Sequence, residues 1–184
     1  MSRTSLSYVF VCIVILVALY ASQHTAAPGQ SALLPTPELS NAIAVLGTRS
    51  KTVDCVVRGS LPDTACTPGA VLSTVTKEQI CVSGYSASAR NVSTSTKAAV
   101  FREYGIVTHA SGEYEVDHLV SLELGGSNDI ANLWPEAADP TPGFHEKDVV
   151  ENYLHDQLCT GKQSLEQVQK AIAVNWQSVY KSLQ

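Results

Sequence analysis

YEVDHLVSLELGGSNDIANLWPEAADPTPGFHEKD, residues 114–148, holds most of the side chains in this chain that can do chemistry. Asp117 and His118 are adjacent, Glu123 follows, and Gly125-Gly126-Ser127-Asn128-Asp129 has the composition of a turn. Tyr114–Asp117 predicts a short strand that ends at His118, Leu133-Trp134 a second strand, and Phe144–Leu158 a helix. Neighbouring side chains of a regular strand point to opposite faces, so Asp117 and His118 share a site only if the strand kinks or ends between them. In the helix, Val149, Val150, Tyr153, Leu154 and Leu158 recur at helical spacing, and Cys159-Thr160-Gly161 ends it. Lys147 either contacts phosphate or pairs with Glu151 one turn on.

Downstream, Ser164 and Gln167 form a capping box for a last helix, Leu165–Tyr180, with Leu165, Val168, Ala171, Ile172 and Trp176 turned inward. Upstream, hydroxyl residues before Lys97 and Gly105 after Tyr104 bracket a helix over Thr96–Tyr104. Val71–Val75 and Gln79–Val82 are short strand candidates, Lys51–Val57 is an edge-strand candidate, and Ser83–Arg90 reads as loop. Pro62 and Pro68 keep the Ser60–Gly69 segment irregular, because proline lacks a backbone donor. Thr36, Pro37 and Gly47 bracket a short helix after a Pro- and Gly-punctuated linker. Arg90, Lys97 and Arg102 form the best basic cluster, read either as solvated charge or as phosphate contacts. His109 and His155 read as surface residues.

The chain opens with Arg3 and an unbroken apolar run, Val9–Tyr20. A short basic start before such a run reads as a secretory signal, and the run is short beside the roughly 20 apolar residues of a membrane span. We therefore divide the chain into residues 1–22, a signal peptide or uncleaved anchor; 23–50, linker and short helix; and 51–184, the functional domain, with its core at 114–158. If uncleaved, residues 9–21 would tether the protein to a membrane. Cys55, Cys66, Cys81 and Cys159 remain after the leader, an even number that suggests two disulfides in an exported protein and permits three pairings. We favour Cys55–Cys66 as a local loop and Cys81–Cys159 as a long clasp. The expected location is secreted, periplasmic or cell-envelope.

The formal net charge of −5 is unevenly spread. Residues 23–112 carry seven Lys/Arg against five Asp/Glu, and residues 113–184 carry four against twelve. The acidic half argues against strong non-specific binding of nucleic acid unless a metal ion changes the local balance.

The ordered set Asp117-His118, Gly125-Gly126, Asn132-Leu133 and His145 resembles the His-Asn-His (HNH) endonuclease pattern of the ββα-metal nucleases. The wider run EVDHLVSLELGGSNDIANLWPE, with HEKDVVENYL and AIAVNWQSVY, is similar to a group of exported bacterial HNH-like proteins over Arg90–Tyr180, with a weaker extension through Cys66–Gly69. The resemblance implies an α+β fold. A small antiparallel ββα-metal unit would be supported by helices and by a disulfide-held N-terminal β/loop region. It further implies His118 as the general base that activates water, an imidazole whose ordinary pKa lies near neutrality. Asp117 and His145 would be metal ligands, and Asn132 the amide that ties the loop and orients His118. Asp148 or Glu151 would replace His145 if the helix is rotated, and Glu123 would sit behind the site. Lys147 and Arg90 would bind substrate. A carboxylate–imidazole pair suits Mg²⁺ first and also Mn²⁺, Ni²⁺ or Zn²⁺.

Three functions compete on this reading. The first is an exported metal-dependent endonuclease that hydrolyses phosphodiester bonds of DNA or RNA. The second is a catalytically inactive HNH-like binding or interaction module of the cell envelope, favoured by the acidic charge. The third is an unrelated disulfide-stabilised domain with a structural Asp–His pair.

Overall fold

The structure, a computed structural model, describes residues 43–184. The leader, the linker and most of the helix expected after Thr36 lie outside the described residues. Within them the fold is mixed α and β. Strand β1 (Ile43–Val45) pairs antiparallel with β2 (Ala70–Leu72), Val45 opposite Ala70. Strand β3 (Tyr114–His118) pairs antiparallel with β4 (Leu133–Ala137), Tyr114 opposite Ala137 and His118 opposite Leu133. A single bridge from Val71 to Gly126 links β2 to the turn between β3 and β4. The helices are α1 (Lys77–Ile80), α2 (Tyr85–Ala89), α3 (Thr94–Glu103), α4 (Phe144–Cys159) and α5 (Leu165–Ser182).

Each long helix begins where a side chain can satisfy its free amides. The Ser93 hydroxyl accepts from Thr96 N at 3.0 Å and starts α3. The Glu146 carboxylate reaches back to Gly143 N at 2.7 Å at the start of α4. Ser164 and Gln167 cap α5 reciprocally, as the sequence predicts. Such caps typically contribute about 1 kcal/mol each. Along α4 and α5, Val150, Leu154 and Leu158 and then Val168, Ile172 and Trp176 recur every four residues and are all buried against each other.

Two apolar clusters flank the β3–β4 pair. One joins α4 and α5 to Val71, Ile80, Val120 and Leu124. The other gathers Val100 and Tyr104 of α3 with Leu119, Leu133, Trp134 and the Cys55–Cys66 pair. Leu119 and Val120, consecutive residues just past β3, therefore enter different cores, and full burial of such a side chain stabilises by about 1.5–3 kcal/mol. The disulfides are Cys55–Cys66 and Cys81–Cys159, the pairing favoured from the sequence. The second ties the end of α1 to the last residue of α4.

The structure corrects several local expectations. The helix expected up to Gly47 is a strand in its described part, β1. Lys51–Val57 forms no strand, and Cys55 N instead donates to Glu103 O at 3.0 Å, which docks the segment on the end of α3. The strand expected at Gln79–Val82 is helical at its start. A capping box between Thr76 and Gln79 sets up α1 and overrides the β-like composition. Ser83–Arg90 is not all loop: Gly84, at φ 82°, turns the chain into α2.

Candidate functional site

The backbone around His118 is fixed by Asn132. This asparagine is fully buried between the cores. Its Nδ2 donates to Val120 O and Ser127 O, both at 2.9 Å, and its Oδ1 accepts from Val120 N at 2.9 Å and Ala70 N at 3.3 Å. One amide thus satisfies four backbone groups from β2, the end of β3 and the turn. The Gly-Gly pair makes this closure sterically feasible. Gly125 has φ 77°, and a Cβ on Gly126 would lie 1.8 Å from Val120 O.

His118 sits at the end of β3 with 1% of its surface exposed. Its Nε2 lies 3.1 Å from Asn128 Oδ1. The same oxygen accepts from Asn91 N at 3.2 Å, while Asn128 Nδ2 donates to Ala89 O at 2.9 Å, so the amide orientation is set by two backbone groups. Oδ1 can only accept, so Nε2 carries the proton and Nδ1 keeps the lone pair. Burial lowers the imidazole's pKa. Asp117 and the Asn128 contact oppose that shift, and Arg90 adds to it. The balance favours neutral imidazole at pH 7.

Asp117 faces an internal cation. Lys147, fully buried on α4, donates to Asp117 Oδ2 at 2.6 Å, to His118 O at 2.8 Å and to the Glu151 carboxylate. These three acceptors use all three ammonium protons. Glu151 also accepts from Ser121 Oγ at 2.8 Å, which binds α4 to the residue that follows Val120. A third carboxyl, Glu136 of β4, is fully buried 3.9 Å from the ammonium, and neither of its oxygens accepts a hydrogen bond from a described group. Burial raises the Glu136 pKa well above the carboxylate range, with Lys147 opposing and Asp117 adding. Burial also raises Asp117, but the Lys147 charge and hydrogen bond outweigh it and hold the carboxyl below its usual range. Glu151 is pushed up to about 7 by burial against the pull of Lys147.

The outer side of this cluster is acidic. Glu115 precedes Asp117 by two residues on β3 and is exposed, as is Asp148 on α4. Burial and then the charges of Asp117 and Asp148 raise Glu115, and burial and Asp117 raise Asp148. His145, exposed on the first turn of α4, and Arg90 lie within electrostatic reach of both carboxylates and oppose these shifts. Mutual repulsion of this kind is what a bound cation relieves, and the donor set of carboxylate oxygens with one imidazole is chemically suited to a divalent ion. His145 Nδ1 and Nε2 make no described hydrogen bond to Asp117. No three of Asp117, His145, Asp148 and Glu115 bring their ligand atoms within 4.8 Å of one another among the described residues. The fit therefore rests on charge and donor chemistry, with Asp117 keeping one oxygen out of the Lys147 contact.

Of the residues singled out in the sequence, Asp117, His118, Asn132 and Lys147 converge on the end of β3, and His145 and Arg90 approach from the outside. Lys147 is a correction as a substrate contact. With no exposed side-chain surface it cannot meet a phosphate, and its partners are Asp117, His118 and Glu151. Glu123 lies near His155, whose charge opposes the upward shift that burial gives it. Sequence reasoning missed Asn128 and Glu136. The Ser-Asn-Asp turn could have suggested the first, because a turn asparagine has a free amide, but nothing local marks a strand glutamate as buried. His155, Cys81 and Cys159 bring a nitrogen and two sulfurs within 4.8 Å of one another, but the sulfurs are joined as a disulfide and offer no thiolate.

Comparison of the chain with known protein families, with characterised proteins and with solved structures found no match.

Proposed function

We propose that this chain is an exported, metal-dependent endonuclease of the HNH kind that hydrolyses phosphodiester bonds of DNA or RNA. The observation that carries the reading is the contact of His118 with Asn128: Oδ1 accepts a hydrogen bond from Nε2–H, which leaves a neutral imidazole with its lone pair on Nδ1. That state can take a proton from water at Nδ1 during attack on phosphorus. Asn132 holds the strand end that carries the ring, and Asn128 keeps the ring from rotating. The β3–turn–β4 pair followed by α4 has the order of a ββα-metal unit, which supports the same reading. Asp117 and His145 would hold the ion, with Asp148 and Glu115 near. When bound, the ion supplies charge stabilisation to the phosphate and the leaving oxygen. Lys147 keeps Asp117 ionised for that role. Arg90 would meet the substrate's phosphates. The two disulfides support export into an oxidising compartment.

One observation favours the second reading, an inactive HNH-like binding module. His118 is only 1% exposed, and an oxygen of Asp117 is committed to Lys147. Plasmid nicking with Mg²⁺, with Mn²⁺ and with EDTA separates the two. Metal-dependent conversion of supercoiled to open-circular DNA is the expected result. Intact DNA and RNA across pH 6–9 would move the assignment to the binding module.

A further inference from the structure

Helix α3 and the segments on either side of it carry cations and aromatic rings, of which only Arg90 has a part in the proposed site. Arg90 and Lys97 line a cleft of about 220 Å³ against Val116 of β3. On the same helix, Phe101 and Arg102 line a second cavity of about 420 Å³ with His109. Arg90, Lys97 and Arg102 are exposed, and none is in an ion pair among the described residues, whereas Arg49, Lys51, Lys147 and Lys162 are all paired. Arg58, Lys77, Lys170 and Lys181 are likewise in no ion pair among the described residues, but Arg90, Lys97 and Arg102 line the two neighbouring cavities on and just before α3, in a chain whose net charge is −5. Phe101 and His109 are stacked, with ring centroids 4.5 Å apart and an angle of 28°, and Tyr114 meets His109 edge-on at 6.1 Å. The end of the cleft at Arg90 is tied to the site, because Asn91, which also lines the cleft, donates to the Asn128 oxygen that contacts His118.

We infer that the cleft at Arg90 and Lys97 and the neighbouring cavity at Phe101, Arg102 and His109 form a track for a single strand of nucleic acid, with backbone phosphates at the three cations and one base stacked on the Phe101–His109 pair. The inference rests on the nuclease reading for its direction, since the near end of the track lies beside His118. Lys97 and Phe101, one turn apart, share a side of α3, so a strand can set a phosphate on the first and a base on the second. Arg102 is turned about 140° from Lys97 and would meet the strand beside the ring pair, with which it lines one cavity. The planar ring pair selects a base rather than an acidic peptide, which has charge but no flat face. A duplex keeps its bases paired and offers none to the cavity. Cations along a backbone with aromatic platforms for bases are the general means of holding single strands without sequence preference.

The test is the salt dependence of binding of a fluorescein-labelled single-stranded DNA 12-mer, measured by anisotropy in EDTA so that no cleavage occurs. The intact chain is compared with the triple variant Arg90→Gln, Lys97→Gln, Arg102→Gln. Neutralised phosphates contribute about −0.7 each to the slope of log Kobs against log salt for a single strand, so the triple variant should lower the slope by about 2. Lys170→Gln with Lys181→Gln should leave it unchanged. His109→Ala should weaken binding several-fold at an unchanged slope, as loss of a stacking platform requires. All these positions except His109 are plain surface cations, and circular dichroism checks that each variant is folded. A triple variant with the slope of the intact chain, or an intact chain that binds poly-glutamate and not the oligonucleotide, would overturn the track. Binding that follows the track without any cleavage in Mg²⁺ or Mn²⁺ would sink the nuclease reading and leave the track standing. Cleavage with an unaltered slope would do the reverse.

Discussion

Lys147 Nζ lies 2.8 Å from the carbonyl oxygen of His118, so helix α4 holds the backbone of the residue that the mechanism assigns as base. The same ammonium holds the Asp117 carboxylate at 2.6 Å. One buried cation thus sets the positions of both members of the Asp-His pair, and it does so from a residue thirty positions downstream of Asp117.

Replacing Lys147 by methionine should be severe. The variant keeps the stem but leaves Asp117, Glu136 and Glu151 buried around no positive charge, and breaking a buried ion pair in this way costs about 3–5 kcal/mol. Urea denaturation should show a loss of that order. A variant that unfolds at the midpoint of the intact chain would show that the cluster contributes little.

The pH dependence follows from the same cluster. The Glu151 pKa is raised to about 7 in the fold from the 4.5 of a free carboxyl. The folded state then binds more protons than the unfolded one between those values, so this group's contribution is full below about 4.5 and is lost as pH rises through 7. Glu136 acts in the same direction. Asp117 is depressed and acts oppositely, its contribution being lost as pH falls below its ordinary 3.8. Ser121 and Lys147 meet different oxygens of Glu151, so Glu151→Gln keeps an oxygen for Lys147, turns its amide NH2 toward the Ser121 hydroxyl as donor, and removes the titration. Its urea midpoint should fall less than that of the intact chain between pH 5 and pH 8. Parallel curves for the two proteins would remove Glu151 as the source.

Asn132→Ala should cost more than about 3 kcal/mol, because it strands backbone groups of Val120, Ser127 and Ala70, and each unsatisfied buried group costs about 1–3 kcal/mol. Amide exchange at Val120 should accelerate with it. Unchanged exchange would mean that another group takes over the closure.

Much of this arrangement was legible in the sequence, and the reasons differ by element. The α4 and α5 helices announce themselves by four-residue apolar spacing and by caps that act within three residues. The Gly-Gly turn and Asn132 were legible as parts of an ordered motif. The α1 and α2 helices were not: at four and five residues they have no full period to read, and Thr76 and Gly84 decide them through local hydrogen bonding and dihedral freedom. Lys147 shows a further limit. Its pairing with Glu151 is visible as an i,i+4 spacing, but its burial depends on Asp117 arriving from another strand. A lysine that a local reading gives to solvent or phosphate is internal for a non-local reason.

Removing the Cys81–Cys159 disulfide should cost about 2–5 kcal/mol, since it closes a 78-residue separation between α1 and α4. Intact-mass measurement after thiol alkylation without reductant should find no modified cysteine among Cys55, Cys66, Cys81 and Cys159. Four alkylated thiols would contradict the oxidised state and the export it supports.

The central claim is that His118 is a base and not a ligand. The direct measurement is plasmid nicking together with Mn²⁺ affinity for the intact chain and for His118→Ala. The account predicts a rate lowered by about 10²–10⁴-fold, the usual effect of losing a general base, with Mn²⁺ affinity within a few-fold of the intact chain. Nicking that survives His118→Ala, or Mn²⁺ binding that disappears with it, would contradict the account.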